Sequence, residues 1–241
     1  MSNRTQTQAP ALFSHPFSPA YWREAAKECK KLRSLVLAAL LCALAIVIEK
    51  FQIPLGTPSL QVSLSFPVIA LCSMLTGPLL AIPCGVLVDL IGIIGSGYPF
   101  FAGYTLTAVL TAVVFALFFY RARPSFVRVL LARGCINLFV NTLLGSVWRV
   151  ALYHGPYRVY LLTSGVKNLV FLPLEVFLLC IFFRALHTPL RQLKFQPPEA
   201  QVTYRTRDFV LLAVLALLGA ALLIPFAVWY DEIQAFLKGL F

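Results

Sequence analysis

Apolar runs long enough to approach or cross a bilayer follow one another along this chain, separated by short polar joints. "LRSLVLAALLCALAIVI" begins at Leu32 and ends against Glu49 and Lys50. After a connection containing proline and glycine come "QVSLSFPVIALCSML" and "LLAIPCGVLVDLIGIIG", which flank the turn Thr76-Gly77-Pro78. Each is shorter than the roughly twenty residues of an ordinary span. Two short, proline-bent helices are expected rather than a re-entrant pair, because neighbouring helices can re-satisfy the backbone at Pro67 and Pro83. "GYTLTAVLTAVVFALFFY", the stretch 126–147 and "NLVFLPLEVFLLCIFF" supply the fourth, fifth and sixth spans. "DFVLLAVLALLGAALLIPFAVWY" supplies a seventh, with Asp231 and Glu232 beyond it.

The polar segments complete a layout of five parts. Residues 1–18 are rich in Ser, Thr, Gln and Pro and are expected to be a disordered tail. Residues 19–31 read as an interfacial amphipathic helix. Ser18 is its cap, Tyr21 and Trp22 suit the headgroup zone, and Lys27, Lys30 and Lys31 suit anionic lipid. Residues 32–186 form the membrane domain, 187–207 a cytoplasmic linker, and 208–241 the extra span with a short tail. The fold class expected is an all-α integral membrane protein.

Composition fits that pattern. The chain is 60% hydrophobic and 12% charged, with a mean hydropathy of +0.84, whereas soluble domains carry about a quarter charged residues. The net charge of +11 needs no nucleic acid, since bases gathered at the cytoplasmic ends of spans give the same total. With the N-terminus inside, about fifteen of the 20 bases fall on the cytoplasmic side, among them Arg121, Arg123, Arg128, Arg133 and Arg184. That leaves the basic stretch 148–168 facing out. The first thirty residues contain no compact apolar core, so no cleavable leader is expected. The six cysteines lie mostly in apolar runs without C-x-x-C spacing, which favours buried thiols over metal or disulfides. No phosphate-cradling G-x-x-x-x-G-K-[ST] stretch, H-E-x-x-H motif or readable nucleophile–base pair is present, and neither a metal nor another cofactor is expected.

Several motifs resemble the substrate-binding (S) components of energy-coupling factor transporters, specifically their folate family. They are L-x-x-A-A-L-x-x-A-L in the first span, S-F-P-V-I followed by G-P, D-L-I-G, and Y-P-F-F-A-G-Y-T-L-T-A. "NLFVNTLLGSVWRVALYHG" and "VKNLVFLPLEVFLL" continue the likeness, which spans about residues 20 to 186. The resemblance implies a six-helix bundle that binds a vitamin and lacks ATPase activity. It also implies docking on a transmembrane coupling subunit with two ATPases, and toppling in the membrane to release substrate inside. The family usually carries an arginine three residues before the lysine of the K-N motif, where this chain has Ser164; the seventh span is an addition. A prokaryotic plasma membrane is the expected location.

A folate-like guest offers a flat hydrogen-bonding pterin, an aromatic bridge and two carboxylates. Arg149 and Arg158 suit carboxylates through paired N–H donors, and Lys167 as a point charge. Tyr98, Phe100, Tyr104 and Tyr153 offer faces for stacking. The alternative is an aromatic belt with bases snorkelling to lipid phosphate. Asp89, costly within an apolar helix, either pairs with a base such as Lys167 or accepts from the amino edge of a pterin; Glu175 poses the same choice. Asn141, Thr142 and Asn168 either read the pterin or tie helices together. Gly95, Gly97 and Gly103 suggest a pliable lid. Ala39 and Ala43, with the parallel row Ala38 and Cys42, form small-residue stripes where a coupling partner or this protein's own helices can approach closely. Rival readings are an S component for another vitamin, a small membrane enzyme acting on lipid headgroups, and an autonomous channel or exchanger.

Overall fold

The computed structural model describes residues 18–94 apart from 52, 56 and 63, residues 100–192, and scattered positions between 207 and 236. Helix α1 (Pro19–Glu28) starts where Ser18 Oγ accepts from the Tyr21 amide at 3.3 Å, the cap the sequence suggests. Six apolar helices follow: α2 (Leu32–Glu49), α3 (Phe66–Thr76), α4 (Pro78–Ile93), α5 (Ala102–Phe119), α6 (Phe126–Tyr153) and α7 (Tyr157–Gln192). Between α2 and α3 runs a small antiparallel hairpin, β1 (Ile53–Leu55) and β2 (Thr57–Val62), in place of an irregular connection.

Helices α2, α5, α6 and most of α7 are long and apolar enough to cross a membrane; α3 and α4 are shorter. The pair α3–α4 forms two separate helices, as expected. Pro67 and Pro78 sit in first turns, where a missing N–H costs nothing, and Pro83 lies inside α4. The turn between them requires glycine. Gly77 has φ +80°, and a β-carbon there would meet the Tyr120 ring at 3.0 Å.

Two boundaries of the α6–α7 pair differ from expectation. The stretch 148–168 is not a loop: α6 continues to Tyr153, only 154–156 are non-helical, and α7 starts at Tyr157. At its other end α7 runs to Gln192, into the expected linker. Apolar content ends near Phe183, but backbone hydrogen bonding is satisfied as well by a helix extending into water.

Helix α1 lies against the end of the bundle where α5 turns into α6. Tyr21 is buried, donates its hydroxyl to the Ala116 carbonyl at 2.8 Å and meets Tyr120 edge-on at 5.2 Å. The expectation that Tyr21 sits among headgroups is therefore corrected, while Trp22 is exposed. Above this end the core is solid: Phe119 packs on Phe115 and Phe183, with Val176 and Leu179 fully buried beside them. The opposite half of the bundle is hollow.

Helix α6 carries a π-helical stretch, Ile136–Leu144, where each turn holds an extra residue. The described positions from 207 to 221 are helical. Gly219 lies against α7, where a β-carbon would come within 3.1 Å of the Val170 carbonyl.

Candidate functional site

A cavity of about 400 Å³ opens among α2, α3, α5, α6 and α7, within the range typical of small-molecule sites. Its floor is a buried ion pair. Arg133 of α6 engages Glu175 of α7 through both Nε, at 2.8 Å from Oε2, and the terminal nitrogen, which bonds Oε1. The guanidinium also lies 4.3 Å over the Phe66 ring. Asn137 donates to the same carboxylate at 2.6 Å and to the Asn168 carbonyl at 3.2 Å. Paired and hydrogen-bonded in this way, the two charges tolerate burial.

The π stretch continues the network. Thr142 Oγ1 donates to the Asn137 carbonyl five residues back at 2.7 Å, and it accepts from Asn168 Nδ2 at 2.8 Å. Asn141 Nδ2 donates to Asn137 Oδ1 at 3.0 Å. The wider turn sets Asn137, Asn141 and Thr142 on the side of α6 that meets α7.

Higher in the cavity Arg149 donates to Ser164 Oγ at 3.0 Å, and Lys167 lines the wall with no carboxylate partner within 4 Å among the described residues. Arg149 thus puts a guanidinium beside Ser164, across the seam between α6 and α7. Aromatic surface comes from Phe66, Tyr104 and Phe171. Trp148 braces this wall, donating to Thr107 Oγ1 at 3.1 Å and packing on Phe101 at 5.7 Å.

Of the residues singled out from sequence, Tyr104, Asn141, Arg149, Lys167 and Asn168 come together around the cavity. Phe100, Tyr153 and Arg158 are exposed and lie outside its lining; Phe101 is the ring that packs inward. Tyr98, Gly95 and Gly97 lie outside the described residues. Gly103 is no lid hinge, because it is buried in α5, where a β-carbon would collide with Phe101 and Trp148. Asp89 does not pair with Lys167 but accepts from Thr105 Oγ1 at 2.5 Å on the α4–α5 seam, outside the lining. Arg133, counted with the cytoplasmic bases, is instead buried within α6. No motif in the sequence marked Arg133 or Glu49 as cavity residues, or Asn137 as the donor that supports Glu175. The one available signal was that Arg133 and Glu175 are opposite charges in neighbouring spans, each too costly to bury alone.

The small-residue rows separate. Ala38 and Cys42 are buried against α4, with Cys84 Sγ 3.7 Å from the Ala38 carbonyl and Cys42 Sγ 3.8 Å from that of Cys84. Of the two approaches expected at this pair, the one by the protein's own helices is what the structure shows, with α4 on that face. Ala39 and Ala43 are exposed.

Comparison with known proteins now bears on this arrangement. A family model described as "ECF transporter, substrate-specific component" matches residues 33–183. The chain belongs to that family. This S component is 33% identical over 147 residues to the folate transporter FolT of Clostridium novyi, covering 61% of this chain and 85% of the relative. To the FolT of Leuconostoc mesenteroides it is 34% identical over 152 residues, covering 60% and 80%. The solved structure of FolT bound with folic acid matches with a TM-score of 0.54 and 25% identity, over 60% of this chain and 88% of that one. The chain is thus a membrane protein and a transporter component.

Proposed function

We propose that this S component captures folate or a related pteridine from outside the cell. It delivers the ligand inward after docking on a coupling subunit driven by two ATPases. The observation that carries the reading is the charge left over in the cavity. Arg133 and Glu175 satisfy each other, whereas Arg149 and Lys167 remain on the wall beside Tyr104 and Phe171. Two cations beside aromatic faces suit a flat ligand ending in two carboxylates. The FolT relatives and the structure of FolT with folic acid support the same chemistry. The exposed face of α2, with Ala39 and Ala43 among Leu40, Leu44 and Val47, is the surface proposed for docking, because small residues let a partner helix approach closely. Residues 208–241 are proposed to add a seventh span.

Titration of the purified protein with folic acid, thiamine, riboflavin and pantothenate tests the ligand. Folic acid is expected to bind at least roughly tenfold tighter than the rest, a difference of about 1.4 kcal/mol. Lys167→Met is expected to remove most of that preference by weakening folic acid alone. Equal binding of all four, or a Lys167→Met protein that holds folic acid as before, would overturn the reading.

A further inference from the structure

We infer that Glu49 reads the hydrogen-bond-donating edge of the bound ring system and so sets which pteridine the cavity accepts. This rests on the cavity being a folate-type site. Once Arg133 and Glu175 are paired, the charged side chains left on its lining are Arg149, Lys167 and Glu49. The two cations come from the α6–α7 pair. Glu49 comes from the last turn of α2, which packs on α3 and α4. An occupant therefore meets cations along one wall and an acceptor on another.

Glu49 Oε2 is buried and has no hydrogen-bond partner among the described residues. A carboxylate oxygen left in that state costs the full desolvation penalty until a donor reaches it. The fold makes room for the group without satisfying it. Its carboxyl lies against the backbone of Gly92, where a β-carbon would stand 3.5 Å from Cδ and Oε2. The adjacent Lys50 turns aside to cap α4, donating to the carbonyls of Gly92 at 2.8 Å and Ile94 at 2.9 Å. Asp89, the nearby carboxylate, is engaged by Thr105.

A carboxylate accepts two parallel N–H bonds from groups shaped like guanidinium. A 2-amino-4-oxopteridine presents that pattern, with a ring N–H beside an exocyclic amine. Glu49 thus accepts from the amine and its neighbour while Arg149 and Lys167 hold the carboxylates.

The test compares folic acid with 2-desamino-2-methylfolic acid, which keeps both carboxylates but loses the exocyclic donor, on the purified full chain. Wild type is expected to prefer folic acid by roughly ten- to hundredfold, the scale of a hydrogen bond to a charged group. Glu49→Gln and Glu49→Leu are expected to bring that preference within about threefold. Ligand-free Glu49→Leu is expected to melt no lower than wild type, since it removes an unsatisfied buried group and breaks no hydrogen bond. Wild-type discrimination surviving both substitutions, or a lowered melting point of the ligand-free Glu49→Leu protein, would overturn the inference alone. Failure of wild type to bind folic acid would overturn the functional reading along with it.

Discussion

Arg133 and Glu175 show how a single residue's meaning depends on its partner. Each looks expensive in an apolar helix, and together, with Asn137 completing the carboxylate's bonds, they form a neutral floor for the cavity. Removing one side leaves the other charged and buried. Arg133→Met is therefore expected to destabilise the protein by roughly 3–5 kcal/mol, and adding Glu175→Leu should restore much of the loss. Thermal melts of the three proteins in one detergent check this; a double variant no better than the single would show that the pair matters for shape rather than charge. Lys167 and Asn168 were legible as cavity-lining candidates from the K-N motif and its place near the outer end of a span. Glu49 was not, because an acid at a helix end next to a lysine reads as an ordinary exposed pair. Only the packing of α2 on α4 shows Lys50 bonded to α4 and Glu49 Oε2 without a donor among the described residues.

Among the elements, α1 follows from its sequence and its docking does not. Ser18 and the proline at the first turn predict a short helix, and in the structure Lys27 and Lys31, read from the sequence as facing anionic lipid, pair with Glu24 and Glu28. What it holds is Arg121, which bonds Glu24 at 3.3 Å and Glu28 at 3.2 Å from a left-handed turn with φ 49°. The hydrogen bond from Lys27, more than the charges of Arg121 and Lys31, keeps the Glu24 carboxyl below its usual range. Burial pushes Glu28 up, but hydrogen bonds from Lys31 and Ser34, together with the charges of Lys31 and Arg121, bring it net below that range too. Carboxyls depressed in the folded state contribute stability above their unfolded value, about 4.3, and lose it as pH falls through the folded value. Hydrogen–deuterium exchange of the α1 amides, corrected for the intrinsic pH dependence of exchange, is thus expected to lose protection below about pH 4. Unchanged protection there, or an Arg121→Gln protein as protected as wild type at neutral pH, would show that this clasp does not hold α1. The π stretch of α6 was equally hidden, since an extra residue per turn leaves no mark in an apolar run.

For the molecule as a whole, the basic residues argue that the N-terminus lies inside, and the structure shows which helix ends lie together. Helix α1, the Gly77 turn and the turn after Tyr120 meet at one end, with Tyr120 touching both of the others. The 154–156 turn joins the other ends of α6 and α7. In a background without native cysteines, Tyr157→Cys is expected to react with an impermeant maleimide on intact cells, and Arg123→Cys only after permeabilisation; the reverse pattern would invert the proposed topology. The chain's own order of apolar runs determined the membrane class and the number of helices in the bundle, because the bilayer demands those lengths whatever the packing. Tertiary structure decided which polar groups are used up and which remain. Asp89 went to Thr105, Arg133 to Glu175, and Ala38 and Cys42 to α4. That outcome depends on helix rotation and spacing in three dimensions, and a linear pattern of charges in apolar segments carries no information about which of them will meet.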